Sequence, residues 1–234
     1  GTGVSNTDGT ITSTVSANAD AGFSIVSWDS NGSNATIGHG LSKAPEMIIL
    51  KEREESDPWH TYHETLGNTA AVYLNSTGAV DSGYAQFWNN TSPTSTVFTV
   101  SSGWTNNDAD GSSIAYCFHS VDGYSKVGSY TGNGSSDGTF VYTGFRPAYV
   151  MVKRTDAADN WHVNDAARSP NNPVDDLLHP DSSSVESANG DQTIDILSNG
   201  FKSRDNHIEI NTSGGTYIYL AFAEFPMVSG GLAR

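Results

Sequence analysis

FSIVSWDSNGS at residues 23–33 and SKVGSYTGNGS at residues 125–135 lie 102 positions apart, and their alignment decides the fold. Each is a short apolar run that ends in an aromatic, Trp28 or Tyr130, and breaks at an Asn-Gly-Ser turn. A strand-length run closed by a glycine-bearing turn is a β signature. The same offset sets Ala44-Pro45 against Arg146-Pro147, MIILK (47–51) against YVMVK (149–153), and Trp59-His60 against Trp161-His162. Further on it slides to 97, where Ser102-Gly103-Trp104 faces Asn199-Gly200-Phe201, and to 104, where Phe118 faces Phe222. Drifts of this size between strands are what loop insertions produce. Each copy therefore reads as one motif. A strand ends in an aromatic and a turn follows. An X-Pro step then enters an apolar strand ending in Lys, and a polar loop leads to a strand opening Trp-His. Pro45 and Pro147 sit at strand starts, where a missing N–H costs least. The loops 52–58 and 154–160 suit hairpins with longer connections.

Helical periodicity is almost absent outside these copies. Strands are expected at 23–28, 46–51, 59–63, 71–74, 97–100, 114–118, 126–130, 139–142, 148–153, 161–163, 193–197, 208–210 and 217–223, and only 175–178 hints at a helical turn. The expected fold is all-β: two tandem, tightly apposed, jelly-roll-like β-sandwich repeats of about 100 residues each, or one merged sandwich of roughly 12 to 14 strands. Residues 1–20 read as a lead-in strand or linker, 21–122 as the first repeat, 123–226 as the second and 227–234 as a tail. The opening GTGVSNTDG has neither a start methionine nor the basic and apolar regions of a signal peptide, so the chain reads as the C-terminal part of something longer.

Composition narrows the function classes. The 234 residues carry a formal net charge of −15, and only 16% are charged. Ser, Thr, Asn and Gly make up about two-fifths of the chain. A duplex nucleic-acid binder needs Lys and Arg to displace counterions, and this chain would repel a polyanion. No apolar run approaches the length of a transmembrane helix. One cysteine, Cys117, excludes a disulfide framework and a Cys-rich metal site; flanked by Tyr116 and Phe118, it reads as a small buried thiol.

The strings AGFSIVSW, GHGLSKAPEMIILK, WHTYHETLG, YCFHSVDGYSKVGSYTGNGSSDGTFVYTGFRPAYVMVKRTD, DILSNGFK and GGTYIYLAFAE resemble a duplicated module. That module lies near the C-terminus of tail-fibre-like and other structural proteins of tailed phages, many of them marine. The resemblance runs from about Thr10 to the end. It implies a virion protein without a catalytic motif, exposed outside the cell on a tail fibre or capsid surface. It also implies a homo-oligomer, a trimer as phage fibres usually are, in contact with other virion subunits.

Several residues carry candidate chemistry. His60 and His63 beside Glu64 suggest a metal or acid–base site, but residues three apart on a strand face opposite ways, and the repeat supplies only His162 and Asp165. Trp59 and Trp161 recur at equivalent places, which favours packing over sugar stacking; Trp88 and Trp104, nearer turns, are the better glycan-stacking candidates. Asn106, Asp108 and Asp110, followed by Gly111, have the spacing that opens a calcium loop. The bidentate Glu expected at position twelve is missing, that place being Cys117, and an ordinary Asn/Asp/Gly turn explains the string equally well. The glycine-bearing segments 29–34 and 131–138 lack phosphate-loop spacing and read as hairpin turns. No nucleophile elbow or paired-carboxylate framework is present.

The leading expectation is a non-enzymatic virion surface protein, a tail-fibre or receptor-binding module adhering to host-surface glycan or protein without inserting into a membrane. The alternative is a capsid-decoration or fibre-spacer protein that binds no receptor. A glycan-degrading tailspike ranks last. No cofactor is called for beyond calcium at the 106–111 loop.

Overall fold

The computed structural model describes residues 2–102, 107–108, 111–187, 190 and 192–226. The protein is all-β. The chain forms two units: residues 1–74 with 80–119, and residues 120–234 with the short segment 75–79.

Unit 1 contains β1 (Val4–Asn6), β2 (Ser13–Asn18), β3 (Phe23–Asp29), β4 (Ala35–Gly38), β5 (Met47–Glu52), β6 (His60–His63), β7 (Ala70–Tyr73), β8 (Asp81–Ser82), β9 (Val97–Val100) and β10 (Ser112–Phe118). Eight of these form one sheet in the order β1-β2-β3-β10-β5-β6-β7-β8, while β4 and β9 pair separately. The residues read as a lead-in thus supply two strands, with β2 laid antiparallel on β3 (Thr14 opposite Ser27). Unit 2 contains β11 (Ser125–Thr131), β12 (Phe140–Tyr142), β13 (Pro147–Arg154), β14 (Trp161–Asp165), β15 (Ile194–Leu197), β16 (Gly200–Ser203), the single turn α1 (Ile208–Asn211) and β17 (Thr216–Ala223). It has a large sheet, β11-β17-β13-β14, and a small one, β12-β16-β15. The middle of the unit 1 sheet, β3-β10-β5-β6, is strung in the same way as the large sheet of unit 2.

In each unit a small sheet covers the inner face of the large one. Val26, Ile48, Leu50, Ala115 and Cys117 meet Ile37, Phe98 and Val100 in unit 1. Val150, Val152, Tyr219 and Ala221 meet Val141, Ile196 and Phe201 in unit 2. Burying each of the larger aliphatic and aromatic chains contributes about 1.5–3 kcal/mol. The alternation visible in β10 (Ser113, Ala115 and Cys117 inward) is the pleat that puts every second residue on the core side.

The Asn-Gly turns depart from expectation. They are not hairpins, because β3 and β4, like β11 and β12, belong to different sheets. Gly32 and Gly134 take positive φ (65° and 67°), and a buried asparagine from a distant segment holds each turn. Asn107 Nδ2 donates to Asn31 Oδ1 (2.8 Å) and Ser33 O (2.7 Å), while its Oδ1 accepts from the Trp28 indole (3.3 Å). Asn211 does the same in unit 2. Its Nδ2 reaches Asn133 Oδ1 (2.9 Å), Ser135 O (2.8 Å) and Asp205 O (2.9 Å), and its Oδ1 accepts from Asn133 N (3.0 Å).

Three further expectations are corrected. Residues 208–210 form a helical turn rather than a strand: His207 caps it, its Nδ1 accepting from Glu209 N (3.3 Å), and Tyr217 Oη donates to Ile208 O (2.8 Å). Residues 175–178 are not helical; Leu177 and Leu178 bridge to Ser187 and Val163. The small-sheet place of Gly200–Ser203 is taken in unit 1 by Val97–Val100, not by residues 102–104, of which Gly103 and Trp104 lie outside the described residues.

Candidate functional site

Of the tryptophans weighed for sugar stacking, Trp88 offers no platform, and Trp161, for which packing is the favoured reading, is buried as well. Trp88 and Trp161 are core residues. Trp88 Nε1 donates to Ala70 O (3.0 Å) and its ring meets Tyr62 edge-on. Trp161 faces Lys153 across the β13–β14 ladder. An indole without a solvent face cannot receive a sugar. Trp59 is half-buried and stacks on Tyr116, with ring centroids 6.4 Å apart. Trp104, Asn106 and Asp110 lie outside the described residues, and Asp108 is half-buried. Among the described residues no three His, Cys, Asp or Glu side chains converge as a metal set. His60 and His63 are both buried, on a strand covered on both faces. Burial drives the His60 pKa down to about 4, so it packs as a neutral ring against Tyr73.

Unit 2 holds a polar cluster that the sequence reading missed. Lys153 is buried at the end of β13, and its Nζ donates to Asp159 O (2.6 Å) and Thr77 O (3.1 Å). Burial lowers its pKa to about 8, against the pull of Asp181, Asp159 and Glu209. Glu209 Oε1 accepts from Asn160 Nδ2 (2.8 Å), and Oε2 faces His162 Nδ1 at 3.6 Å. His162 Nε2 lies 2.6 Å from Asn164 Oδ1, which can only accept, so that nitrogen carries the hydrogen. Burial pushes Glu209 up, but His162 and Asn160 more than offset this and hold it at about 2. Asp159 is pushed up, by burial first and by Glu209 second. These side chains are general-acid and nucleophile types, yet Lys153, Asp159, His162 and Glu209 are all closed to solvent. The arrangement holds β13, β14, α1 and segment 75–79 in place.

A polar groove of about 340 Å³ is lined by Arg168, Ser169, Asn172, Asp175 and Asp176 among others. Its polar side chains bond within the unit. Arg168 pairs with Asp165 (2.5 Å) and Glu186 (2.7 Å), and Ser169 Oγ lies 2.8 Å from Asp176 and 3.1 Å from Asp175, with one hydrogen for the two carboxylates.

The outer face of the small sheet in unit 2 is different. β12 is its edge strand, and Val141 points inward, so Phe140 and Tyr142 point outward, 44% and 65% exposed. Two residues along a strand set the rings about 7 Å apart. Row partners flank them: Lys202 and Asp195 beside Phe140, Gly200 and Leu197 beside Tyr142. A Cβ at Gly200 would stand 2.1 Å from the Val141 carbonyl oxygen and 3.1 Å from the Phe140 ring, so the close approach of β12 to β16 requires glycine there. Lys202 is paired with Asp137 (2.5 Å) and Arg204 with Asp195 (3.3 Å), so the polar rim is close to neutral. Rings with an apolar surface and a phenolic edge, bordered by donors and acceptors, can cover the C–H face of a sugar and bond its hydroxyls. The sequence signal was the string Phe140-Val141-Tyr142, in which a core valine forces both neighbours outward.

These features define a class: an all-β domain of two units, with an exposed aromatic pair on a polar sheet face. The chain belongs to the family described as Domain of unknown function (DUF7483), which matches residues 1–226. No curated protein and no solved structure gives a significant match.

Proposed function

We propose that this chain is a non-enzymatic adhesion module on the virion of a tailed phage, carried on a tail fibre or capsid surface. Its two units are read as tandem jelly-roll-like sandwich repeats, a reading supported by the shared strand order and by the two asparagine-held turns. The ligand is a neutral host-surface glycan held on the outer face of β12-β16-β15. The observation that carries the reading is the exposed pair Phe140 and Tyr142 within a charge-matched rim. A net charge of −15 disfavours anionic polymers and suits a neutral glycan. Single-site binding of this kind is weak, and oligomeric display multiplies it.

A glycan array probed with the multimerised protein tests this. Neutral glycans should bind, and Phe140→Ala and Tyr142→Ala should each abolish the signal while leaving the melting temperature unchanged. Absence of binding, or binding indifferent to both substitutions, refutes it. Self-association lost in the same variants would instead favour a spacer or decoration role.

A further inference from the structure

Trp28 on β3, Ser113 on β10 and Glu52 on β5 form one row across three strands. Residues in a row share a face of the sheet, and here all three are buried on the core side. A carboxylate so placed requires donors. Glu52 is 1% exposed; its Oε2 accepts from Ser113 Oγ (3.2 Å), and its Oε1 has no hydrogen-bond partner among the described residues. The carboxylate lies against Gly111, where any Cβ would collide with Oε1. Ser30 Oγ stands 3.2 Å from Ser113 Oγ, extending the set of oxygens. Burial raises the Glu52 pKa, Ser113 opposes this, and the neighbouring charges of Glu54 and Asp108 add to the rise. Lys51, which lowers it slightly, directs its ammonium to the carbonyls of Glu52 and Glu55.

The corresponding row of unit 2 shows what is missing. It consists of Tyr130, Tyr217 and Arg154, so a guanidinium arises where unit 1 has a carboxylate. Two residues on, Asp156 accepts the Thr216 N–H (3.0 Å), as Glu54 accepts that of Ser112 (2.6 Å). In unit 2, Arg154 and Asp156 neutralise each other through two bonds of 3.1 Å. In unit 1 both places are acidic, and Asp108 adds a third negative charge nearby.

We propose that unit 1 binds a calcium-type cation at this place, with Glu52 Oε1 as the buried ligand and Asp108, Ser113 and Ser30 contributing oxygens directly or through water. The donors are all hard oxygens without imidazole or thiolate, which selects calcium or magnesium over transition metals. Neutral hydroxyls and an irregular donor set suit calcium better than the strict octahedron of magnesium. Because no three acidic or imidazole side chains converge among the described residues, the affinity should be that of a low-charge site, about 10⁻⁴ M.

Calorimetry on chelator-treated full-length protein, with terbium luminescence sensitised by Trp28 as a second readout, tests the proposal. One calcium should bind and displace terbium. Glu52→Gln should weaken binding by about tenfold or more, and Asp108→Asn should weaken it too, which covers the case of Glu52→Gln failing to fold. Glu52→Arg should abolish binding while giving a melting temperature that no longer responds to calcium. No calcium uptake by wild type at about 10 mM overturns the proposal. So does unaltered binding in Glu52→Gln, or a melting temperature that rises in Glu52→Gln and ignores calcium in both proteins. That last pattern would mark Glu52 as a protonated acid bonded like an amide.

Discussion

Replacing Asn211 by alanine removes the group on which the second Asn-Gly turn closes. Its Nδ2 has two hydrogens for three acceptors at 2.8–2.9 Å, so two of those bonds act at full strength. Its Oδ1 adds one good bond, from Asn133 N at 3.0 Å. Three bonds at about 1 kcal/mol each, the groups left behind belonging to exposed or half-buried residues that water can reach, give a loss of about 3 kcal/mol. Asn107→Ala should cost unit 1 a similar amount, because it breaks contacts to Asn31, Ser33 and the Trp28 indole. Asn211→Asp should be worse than alanine, because it sets carboxylate oxygens against three existing acceptors. Urea unfolding followed by ¹⁹F NMR of fluorotryptophan-labelled protein resolves the effects. Trp161 reports on unit 2, while Trp28 and Trp88 report on unit 1. The Trp161 transition should move to lower urea in Asn211→Ala and the Trp28 and Trp88 transition in Asn107→Ala. A loss below about 1 kcal/mol in both would refute the view that these asparagines, rather than local turn propensity, hold the two turns.

Other consequences can be measured on the same protein. The Glu209 pKa falls from 4.5 in the unfolded chain to about 2 in the fold, so its contribution is complete above 4.5 and is lost as pH falls toward 2. Stability profiles over that interval should therefore fall less steeply in Glu209→Gln. Lys153 runs the other way: with a folded pKa of about 8 against 10.5, the unfolded chain binds more protons between those values, so stability rises with pH there. Relative to Lys153→Met the rise should reach at most about 3 kcal/mol, at 1.4 kcal/mol per pH unit; a flat difference would refute it. Cys117 is fully buried and its pKa is pushed up to about 12, so a thiol reagent should leave the native protein unlabelled and react at the rate of unit 1 opening.

The β character was legible because strand length, β-branched and aromatic content and turn residues all agree locally. Val97–Val100 and Thr216–Ala223 were found nearly to the residue. Ile208–Ile210 was misread because an apolar triplet looks the same in a strand and in a helical turn; the His207 cap and the Tyr217 hydroxyl decide the matter from outside it. Gly200–Ser203 was missed although it pairs with the adjacent β15 as well as with the distant β12, because Gly-Phe-Lys-Ser carries no β-branched residue to mark a strand. The site residues were harder to find. Nearness to a turn pointed to Trp88, but a large ring is also the best core filling, and the smaller Phe140 and Tyr142 are the aromatics left outside. Glu52 reads as one acid in the string Lys51-Glu52-Arg53-Glu54-Glu55, and only the ladder turns it toward Ser113.

Segment 75–79 belongs to the second unit although both of its flanks belong to the first. The Thr77 carbonyl accepts from Lys153 Nζ and from Asp159 N, and Lys153 lies 76 residues further on. A ribosome makes Thr77 long before either donor exists. While the first unit is emerging, that carbonyl must stay bonded to water, and it can be sealed only after residue 159 has left the exit tunnel. The later unit therefore cannot complete itself from its own contiguous stretch of chain. Expressing residues 120–234 alone would leave the Lys153 ammonium one acceptor short in a place closed to solvent. Evolution by simple swapping of the second half between relatives would have to bring a compatible residue 75–79 loop with it.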